Sequence, residues 1–378
     1  MKVGAGPRTM SSMVRTGTAS VAALALATIV VGGCADGGVS DDPCRAAADH
    51  VATCLGGESG PVPSSCDEAS AQSVLELSCA ELTDGGGKAD ELGDEARALL
   101  CELGDPAFCE DCPAITPAQR RGLWVWSSDV VGDIAAREAL FGFSAEHQVT
   151  ALYVNVEGLV TAEPAAVATF ASEAAARCLE TELLFGAPDW ALAANHQVAV
   201  DLARRAVDLG GRALHFDVEP HLLAEWSTDR QTVANEYVDL LEALVPVARD
   251  GGARVTVDLP FWFDAQDVTR GDRTRPLSEW VAERVDRVAL MDYRDEIDGT
   301  DGLVAHAATE LAYAGSIGRE VVVGVETACG ELPKTTFCEE GAAALEAALA
   351  ATAAAFSLDP GFAGVAVHHY AAYQALQP

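Results

Sequence analysis

Positive charge is scarce in this chain. Over 378 residues, 24 Lys and Arg stand against 58 Asp and Glu, a formal net charge of −34. Phosphate backbones and anionic bilayers are bound through basic faces, so nucleic acid and direct adhesion to a charged membrane are excluded as partners. The acidic residues are spread along the chain without a long tail, which fits a solvated surface. The apolar run Val21 to Val31 is too short to span a bilayer comfortably. Zinc-ligand spacing is missing too. Cys109-Glu110-Asp111-Cys112 is a CxxC, but no second CxxC or His pair follows it at the required distance. Trp124-Val125-Trp126-Ser127-Ser128 stands where an open dinucleotide-binding sheet would carry GxGxxG. No cofactor and no metal is implied.

What is present begins with a targeting segment over residues 1–34. Lys2, Arg8 and Arg15 give a positive start, the apolar run follows, and Val31-Gly32-Gly33-Cys34 closes it. Of eleven Cys, seven fall in the next section: Cys44, Cys54, Cys66, Cys79, Cys101, Cys109 and Cys112. Cys178, Cys329 and Cys338 lie further on. In an exported chain these are expected as disulfides. Seven is odd, so one Cys is free or pairs outside the cluster, with Cys178 as an open partner. Cys329 and Cys338 are expected to pair and staple one loop. Residues 35–43 form a Gly/Asp/Ser tether. Residues 44–113 form a Cys-rich module, too small for a strong core without staples, with helices expected over Ala46–Leu55 and Asp90–Leu103.

From Arg120 to residue 378 the texture changes. Strand-like Val/Leu/Ala runs alternate with Ala-rich helical stretches, eight times over. The strands are expected at Gly122–Trp126, Thr150–Asn155, Glu182–Gly186, Ala213–Asp217, Arg254–Asp258, Arg287–Met291, Glu320–Val325 and Gly364–His368. Near-continuous apolar strands mean burial on both faces, as in parallel sheets. Eight β/α units over about 258 residues predict an α/β fold of the (β/α)8 TIM barrel type, preceded by the small Cys-rich, mainly helical module.

In such a barrel the chemistry sits just after each strand. The fourth strand ends in Asp217-Val218-Glu219-Pro220, two carboxylates at i and i+2 and therefore on one face. Asn155, Glu157, Asp189, Asp258, Asp292, Tyr293, Arg294, Glu326, His368 and Tyr370 fall at other strand ends. Trp124, Trp126, Trp190 and Trp262 join them as candidate platforms for the apolar face of a sugar ring. Glycosidic cleavage needs one carboxylic acid to protonate the leaving oxygen and a second group to stabilise or trap the oxocarbenium-like centre. Glu219 is the candidate acid, Glu326 the candidate nucleophile or stabiliser, and Asp217 the candidate orienting group. His215, inside the fourth strand, is expected to be a satisfied core histidine.

Several stretches resemble known families. The small residues before Cys34 resemble the bacterial lipobox, which implies a lipidated Cys34, a place in the bacterial cell envelope, and a membrane contact made through that N-terminal anchor only. Asp217-Val218-Glu219 with Met291-Asp292-Tyr293 resembles the DxE and MxY of family 18 chitinases. There the Glu is the acid, the Asp orients a nucleophilic acetamido group, and the Tyr helps to hold it. That family's DGxDxDxE has Asp where this chain has Arg212 and His215. Glu219-Pro220 and Glu326 also resemble the acid/base and nucleophile of the large retaining clan of barrel glycosidases, which implies carboxyls roughly 5–5.5 Å apart. In that clan an Asn usually precedes the acid/base, where this chain has Val218. Over most of residues 121–373 the chain is similar to a little-characterised group of bacterial glycosidase-like barrel proteins. The marks are Arg121-Gly122-Leu123-Trp124-Val125-Trp126, Met291-Asp292-Tyr293-Arg294-Asp295, Gly324-Val325-Glu326-Thr327, Thr336-Phe337-Cys338-Glu339-Glu340-Gly341 and His368-His369-Tyr370.

The expected function is an exported, lipid-anchored glycoside hydrolase with a carbohydrate substrate. Three rivals stay open. One is a non-catalytic carbohydrate-binding lipoprotein on the same barrel. Another is a metal-dependent hydrolase using Asp217, Glu219, Asp292, Glu326 and His368, although the HxH of barrel amidohydrolases is missing from the first strand. The third is a surface protein whose Cys-rich module carries the function.

Overall fold

The computed structural model describes residues 42–55, 62–63, 66–84, 92–93, 96–97, 99–100, 112–330 and 332–378. Cys34, Cys101, Cys109, nearly all of the tether and most of the expected helix 90–103 lie outside them. Ten strands follow Arg120: β1 (Arg121–Val125), β2 (Ala151–Asn155), β3 (Glu180–Phe185), β4 (Ala213–Phe216), β5 (Arg254–Pro260), β6 (Asp267–Arg270), β7 (Arg273–Pro276), β8 (Arg287–Met291), β9 (Glu320–Glu326) and β10 (Phe362–His368). All except β6 and β7 close into a parallel barrel of order β1-β10-β9-β8-β5-β4-β3-β2. β6 and β7 form an antiparallel hairpin in the excursion between β5 and its helix. The eight expected strands are the eight barrel strands, each displaced by two residues or fewer at either end.

Helices separate the barrel strands, and local chemistry sets their ends. Asp133 caps Ile134–Glu146 by accepting from the Ala136 N–H at 3.0 Å. Pro164 opens Pro164–Ala176, where its missing N–H costs nothing. Five helix-to-strand returns pass through a left-handed residue: Gln148, Cys178, Gly210, Gly252 and Gly318, with φ of 54°, 58°, 86°, 76° and 67°. This is the ordinary C-terminal helix stop, and the first two positions make it without glycine. Apolar faces of these helices pack on the outward faces of the strands in one large core that includes Leu123, Phe170, Phe185, Phe216, Leu241, Val257 and Val323.

The barrel interior is filled as well. Trp124, Ala151, Tyr153, Leu184, Ala289, Val322 and Ala366 pack across it. The Trp124 indole fits because β9 carries Gly324, whose missing Cβ would lie 2.9 Å from a ring carbon. At the close of β3 a Cβ on Gly186 would collide with the Asp217 carbonyl oxygen, so only glycine lets β4 end where it does.

In the N-terminal module Pro43–Leu55, Glu68–Leu75 and Cys79–Asp84 are helical. The first is the expected helix, extended by three residues at its start; the other two are additional to the sequence expectation. Ala47, Val51, Ala71, Val74, Leu77, Leu82, Leu99 and Leu100 share a small core. Disulfides Cys44–Cys66 and Cys54–Cys79 staple it. Cys112 pairs outside the cluster, with Cys178, and Cys329 pairs with Cys338.

Candidate active site

Strands of a parallel barrel finish at one end, and there the structure gathers four carboxyls around one phenol. The Tyr293 hydroxyl is held well above its ordinary range by burial first, then by the charges of Asp258, Glu326, Asp217 and Glu219. These groups come from the ends of β8, β5, β9 and β4. Tyr293 follows Met291 at i+2, so both face inward, whereas Asp292 between them faces out.

Asp217 and Glu219 extend the inward face of β4. The Asp217 N–H donates to the Phe185 carbonyl at 2.8 Å, which carries the β3–β4 ladder one step past the strand. Burial, then Asp258 and Glu219, raise the Asp217 carboxyl well above its usual value, and its Oδ1 is buried without a protein partner. Burial and then Asp258 also raise Glu219. Glu219 keeps 24% of its side chain exposed, with Oε2 lying 3.4 Å from His221 Nε2. His221 in turn packs against Trp262 and Phe263, at ring centroid distances of 5.2 and 5.9 Å.

Glu326 is treated in the opposite way. Its Oε1 accepts from the backbone N–H of Thr327 and of Ala328, each at 2.7 Å. Its Oε2 lies 2.7 Å from His368 Nδ1. Trp126 Nε1 donates to His368 Nε2 at 2.8 Å. An indole N–H can only donate, so His368 Nε2 is the acceptor and Nδ1 carries the proton toward Glu326. Burial works against the Glu326 charge, yet the His368 bond and the two backbone donors hold its carboxyl below the usual range. Oε2 has one side-chain partner and keeps further acceptor capacity.

Beneath these groups lies a set of charges that joins Asp258 and His215 to residues with no site signal in the sequence. Asp258 is 2% exposed; its Oδ2 accepts from Trp124 Nε1 at 3.2 Å, and its Oδ1 lies 2.9 Å from His215 Nε2. His215 Nδ1 lies 2.9 Å from Glu182 Oε2, and Glu182 Oε1 accepts from Arg287 Nη1 at 2.7 Å. Arg287 continues to Glu320 at 2.7 Å, while Glu180 pairs with Arg120 and Arg254 at the same end. Burial alone would lower His215, but Asp258 and then Glu182 raise it to about 10. Glu182, penalised by burial, is brought down to about 2 by His215 and Arg287. His215 is thus a core histidine between two buried carboxylates, hydrogen-bonded to Glu182 through Nδ1 and 2.9 Å from Asp258 through Nε2.

The other candidates fall in several places. Trp124 and Trp190 are 1% and 4% exposed, so both are packing residues beneath or beside the mouth rather than open platforms. Trp126 and Trp262 stay partly exposed. Asp292 is fully buried and turned away from Tyr293, toward the helix Leu303–Ser316. His306 Nδ1 lies 2.8 Å from its Oδ1, and burial raises it to about 8 despite Arg294. Arg294 pairs with Asp301 and lies over the Phe261 ring, 4.9 Å from its centroid. Asp292 and Arg294 therefore belong to the rim. Tyr370 packs on Phe143 and accepts from Gln374 Nε2 at 2.8 Å. Among the described residues no three His, Cys, Asp or Glu side chains are grouped so as to hold a metal ion.

No family model matches the chain, and no curated protein matches it in sequence. Solved structures do. A chitinase from Chromobacterium violaceum is 14% identical, with a TM-score of 0.41 over 67% of this chain and 96% of that one. A family 18 chitinase from Cycas revoluta, solved with (GlcNAc)3, is 14% identical, with a TM-score of 0.38 over 55% of this chain and 68% of that one. Catalytic domain 2 of the Group II chitinase of Ostrinia furnacalis is 13% identical, with a TM-score of 0.36 over 55% of this chain; the match spans 63% of that domain, just under two thirds. At these identities and scores the likeness assigns no activity and gives no residue a role. The chain is an eight-stranded parallel barrel with a disulfide-stapled helical module before it, and its solved structural neighbours include family 18 chitinases at low identity.

Proposed function

We propose that the chain is an exported glycoside hydrolase, with Glu219 as proton donor and Glu326 as the ionised group that traps or stabilises the positive sugar centre. One observation carries this reading: two carboxyls at one barrel mouth are driven in opposite directions. Burial and Asp258 raise Glu219. Hydrogen bonds hold Glu326 low against its burial. Environments that separate two acids in this way give one the acid role and the other the base or nucleophile role at a single pH.

The protonated Glu219 gives its proton to the glycosidic oxygen as the bond from that oxygen to the anomeric carbon breaks. The free lone pair of Glu326 Oε2 faces the cationic carbon. Water then adds its hydroxyl there and returns its proton to Glu219. A second reading has a specific support. Glu326 is tied by three hydrogen bonds, while Asp217 keeps a buried Oδ1 without a partner in the surroundings of Tyr293. That pair suits a 2-acetamido group, whose carbonyl oxygen then attacks in place of Glu326. Disulfides among the described residues suit an oxidising compartment. They support export, with a lipid on Cys34 as the anchor in the bacterial envelope.

The test is release of sugar from oligosaccharides with and without N-acetyl groups, by the wild type and by Glu219→Gln and Glu326→Gln. Loss in Glu219→Gln with binding retained is the expected result. Loss in Glu326→Gln on both substrate classes selects the carboxylate route; cleavage of N-acetylated substrates alone selects the acetamido route. Wild-type rates in both variants sink the assignment. Binding without release by the wild type makes the protein a carbohydrate-binding barrel. Labelling with radioactive palmitate, compared with Cys34→Ala, tests the anchor.

A further inference from the structure

The barrel axis carries an alternating line of charge that runs from one end to the other. It begins at Glu320, passes through Arg287, Glu182 and His215, and ends at Asp258 beneath the mouth. Arg287, Glu182, His215 and Asp258 are each no more than 3% exposed. Burying an ion without a partner costs several kcal/mol, so a line of this kind persists only if each member neutralises the next. Period two along β4 then fixes what the line touches: His215, Asp217 and Glu219 share one face.

We propose that His215 is a positioning residue, an imidazolium that balances the buried Asp258 carboxylate and through it disfavours charge on Asp217 and Glu219. The proposal rests on the reading of Glu219 as proton donor only for its catalytic consequence. Its physical content stands on the geometry. Both ring nitrogens of His215 lie 2.9 Å from carboxylate oxygens, Nδ1 in a hydrogen bond with Glu182 and Nε2 in an ion-pair contact with Asp258 that is not aligned as one. A neutral imidazole has one donor and one acceptor, so it would set a lone pair against one of those oxygens. Only the doubly protonated ring serves both. A negative charge on Asp258 then opposes a second and third charge at Asp217 and Glu219, and at Asp217 it outweighs the opposite pull of the more distant His215 cation.

The surroundings agree from every strand that packs on the ring. Trp124 of β1 lies 6.0 Å away by ring centroids, and its N–H is already given to Asp258. Tyr153 of β2 lies 4.5 Å away, with its hydroxyl buried and without a partner. β3 supplies Glu182, β4 supplies Asp217 and Glu219, β5 supplies Asp258, and β8 supplies Arg287 behind Glu182. Arg287 is held at its other side by Glu320, so it does not withdraw Glu182 from His215.

The experiment has two arms. In the first, ring ¹⁵N shifts of His215 in the full protein are followed from pH 5 to pH 9. A doubly protonated ring throughout is the expected result, and a ring that is neutral at pH 7 overturns the proposal whatever the enzyme does. In the second, carboxyl ¹³C shifts of Asp217 and Glu219 are titrated in wild type and in His215→Gln. With the cation gone Asp258 takes up a proton, and the Asp217 and Glu219 transitions move to lower pH by about one unit. If the protein cleaves glycans, the basic limb of its pH profile moves the same way, with kcat lowered and KM little changed. Unmoved carboxyl titrations in a folded His215→Gln overturn the positioning role. Should that variant fail to fold, His215→Gln with Asp258→Asn removes both charges and keeps hydrogen-bonding groups in place. It too must show lowered Asp217 and Glu219 transitions, and wild-type transitions overturn the proposal.

Discussion

At the end where the barrel strands begin, Glu180, Glu182 and Glu320 meet Arg120, Arg254 and Arg287. At the end where they finish, Asp217, Asp258, Glu219 and Glu326 meet histidines, a phenol and an indole; among the described residues none of the four pairs with Arg or Lys. The chain has the same charged residue types available at both ends and arranges them differently. The lower end compensates each buried charge and drives Glu182 further into its ionised form. The upper end leaves carboxyls against one another and drives Asp217 and Glu219 toward protonation. Compensated charge holds a fold together, and uncompensated charge stores reactivity that a substrate can release.

The contrast can be broken by exchanging its terms. Glu219→Gln removes the proposed proton donor from the upper end and is expected to lower glycan release by about 10²–10⁴-fold with little loss of stability. Sugar release and urea unfolding of the same variant check both halves, and a variant that is mainly destabilised would make Glu219 a structural group. Arg287→Met works on the lower end, where it leaves Glu182 buried beside a lone His215. A loss of about 3–5 kcal/mol in unfolding free energy is expected. A neutral effect there would mean that the line of charge is dispensable to folding.

A smaller effect separates the rim from both ends. Asp292 sits at about 8 in the folded chain against an ordinary 3.8, and Glu310 is raised to about 8 as well, burial leading in both. A carboxyl raised on folding gives stability that is fully present below its unfolded pKa and lost as pH rises through its folded one. Wild-type stability should therefore fall between about pH 4 and pH 8. Asp292→Asn lacks that contribution and should gain on the wild type at pH 8 relative to pH 5, as urea midpoints would show. Equal differences at the two pH values would place the carboxylate in a relieved setting after all. Smallest is Gln148→Gly. This exposed residue holds φ of 54°, and glycine there should stabilise by about 1 kcal/mol or less. Thermal unfolding reads it, and a lower midpoint would mean that the turn depends on the Gln side chain.

Much of this architecture is written in short-range pattern. Apolar runs of four to seven residues between Ala-rich stretches place all eight barrel strands, because burial on both faces leaves little choice of residue. Asp217 and Glu219 are legible for the same reason, by counting in twos along β4. Counting in twos also puts His215 on their face and Asp292 opposite Tyr293. The line from His215 to Arg287 is not legible. Its members are 33 and 105 residues apart along the chain, and only closure of the barrel joins them. Trp124 and Trp190 show a further limit: an indole at a strand end has the same letter whether it lines a mouth or plugs the space below.

The bond between Cys112 and Cys178 has a directional consequence. Cys178 lies in the turn that leads into β3, at the pole where strands start, whereas Asp217, Glu219 and Glu326 lie at the pole where they stop. Some 20 Å of strand separates the two, at about 3.3 Å per residue over six residues. Any pull transmitted from upstream of Cys112 is thereby taken by the far pole. The mouth is therefore left free of that covalent tie, at the pole opposite the one that Cys178 occupies.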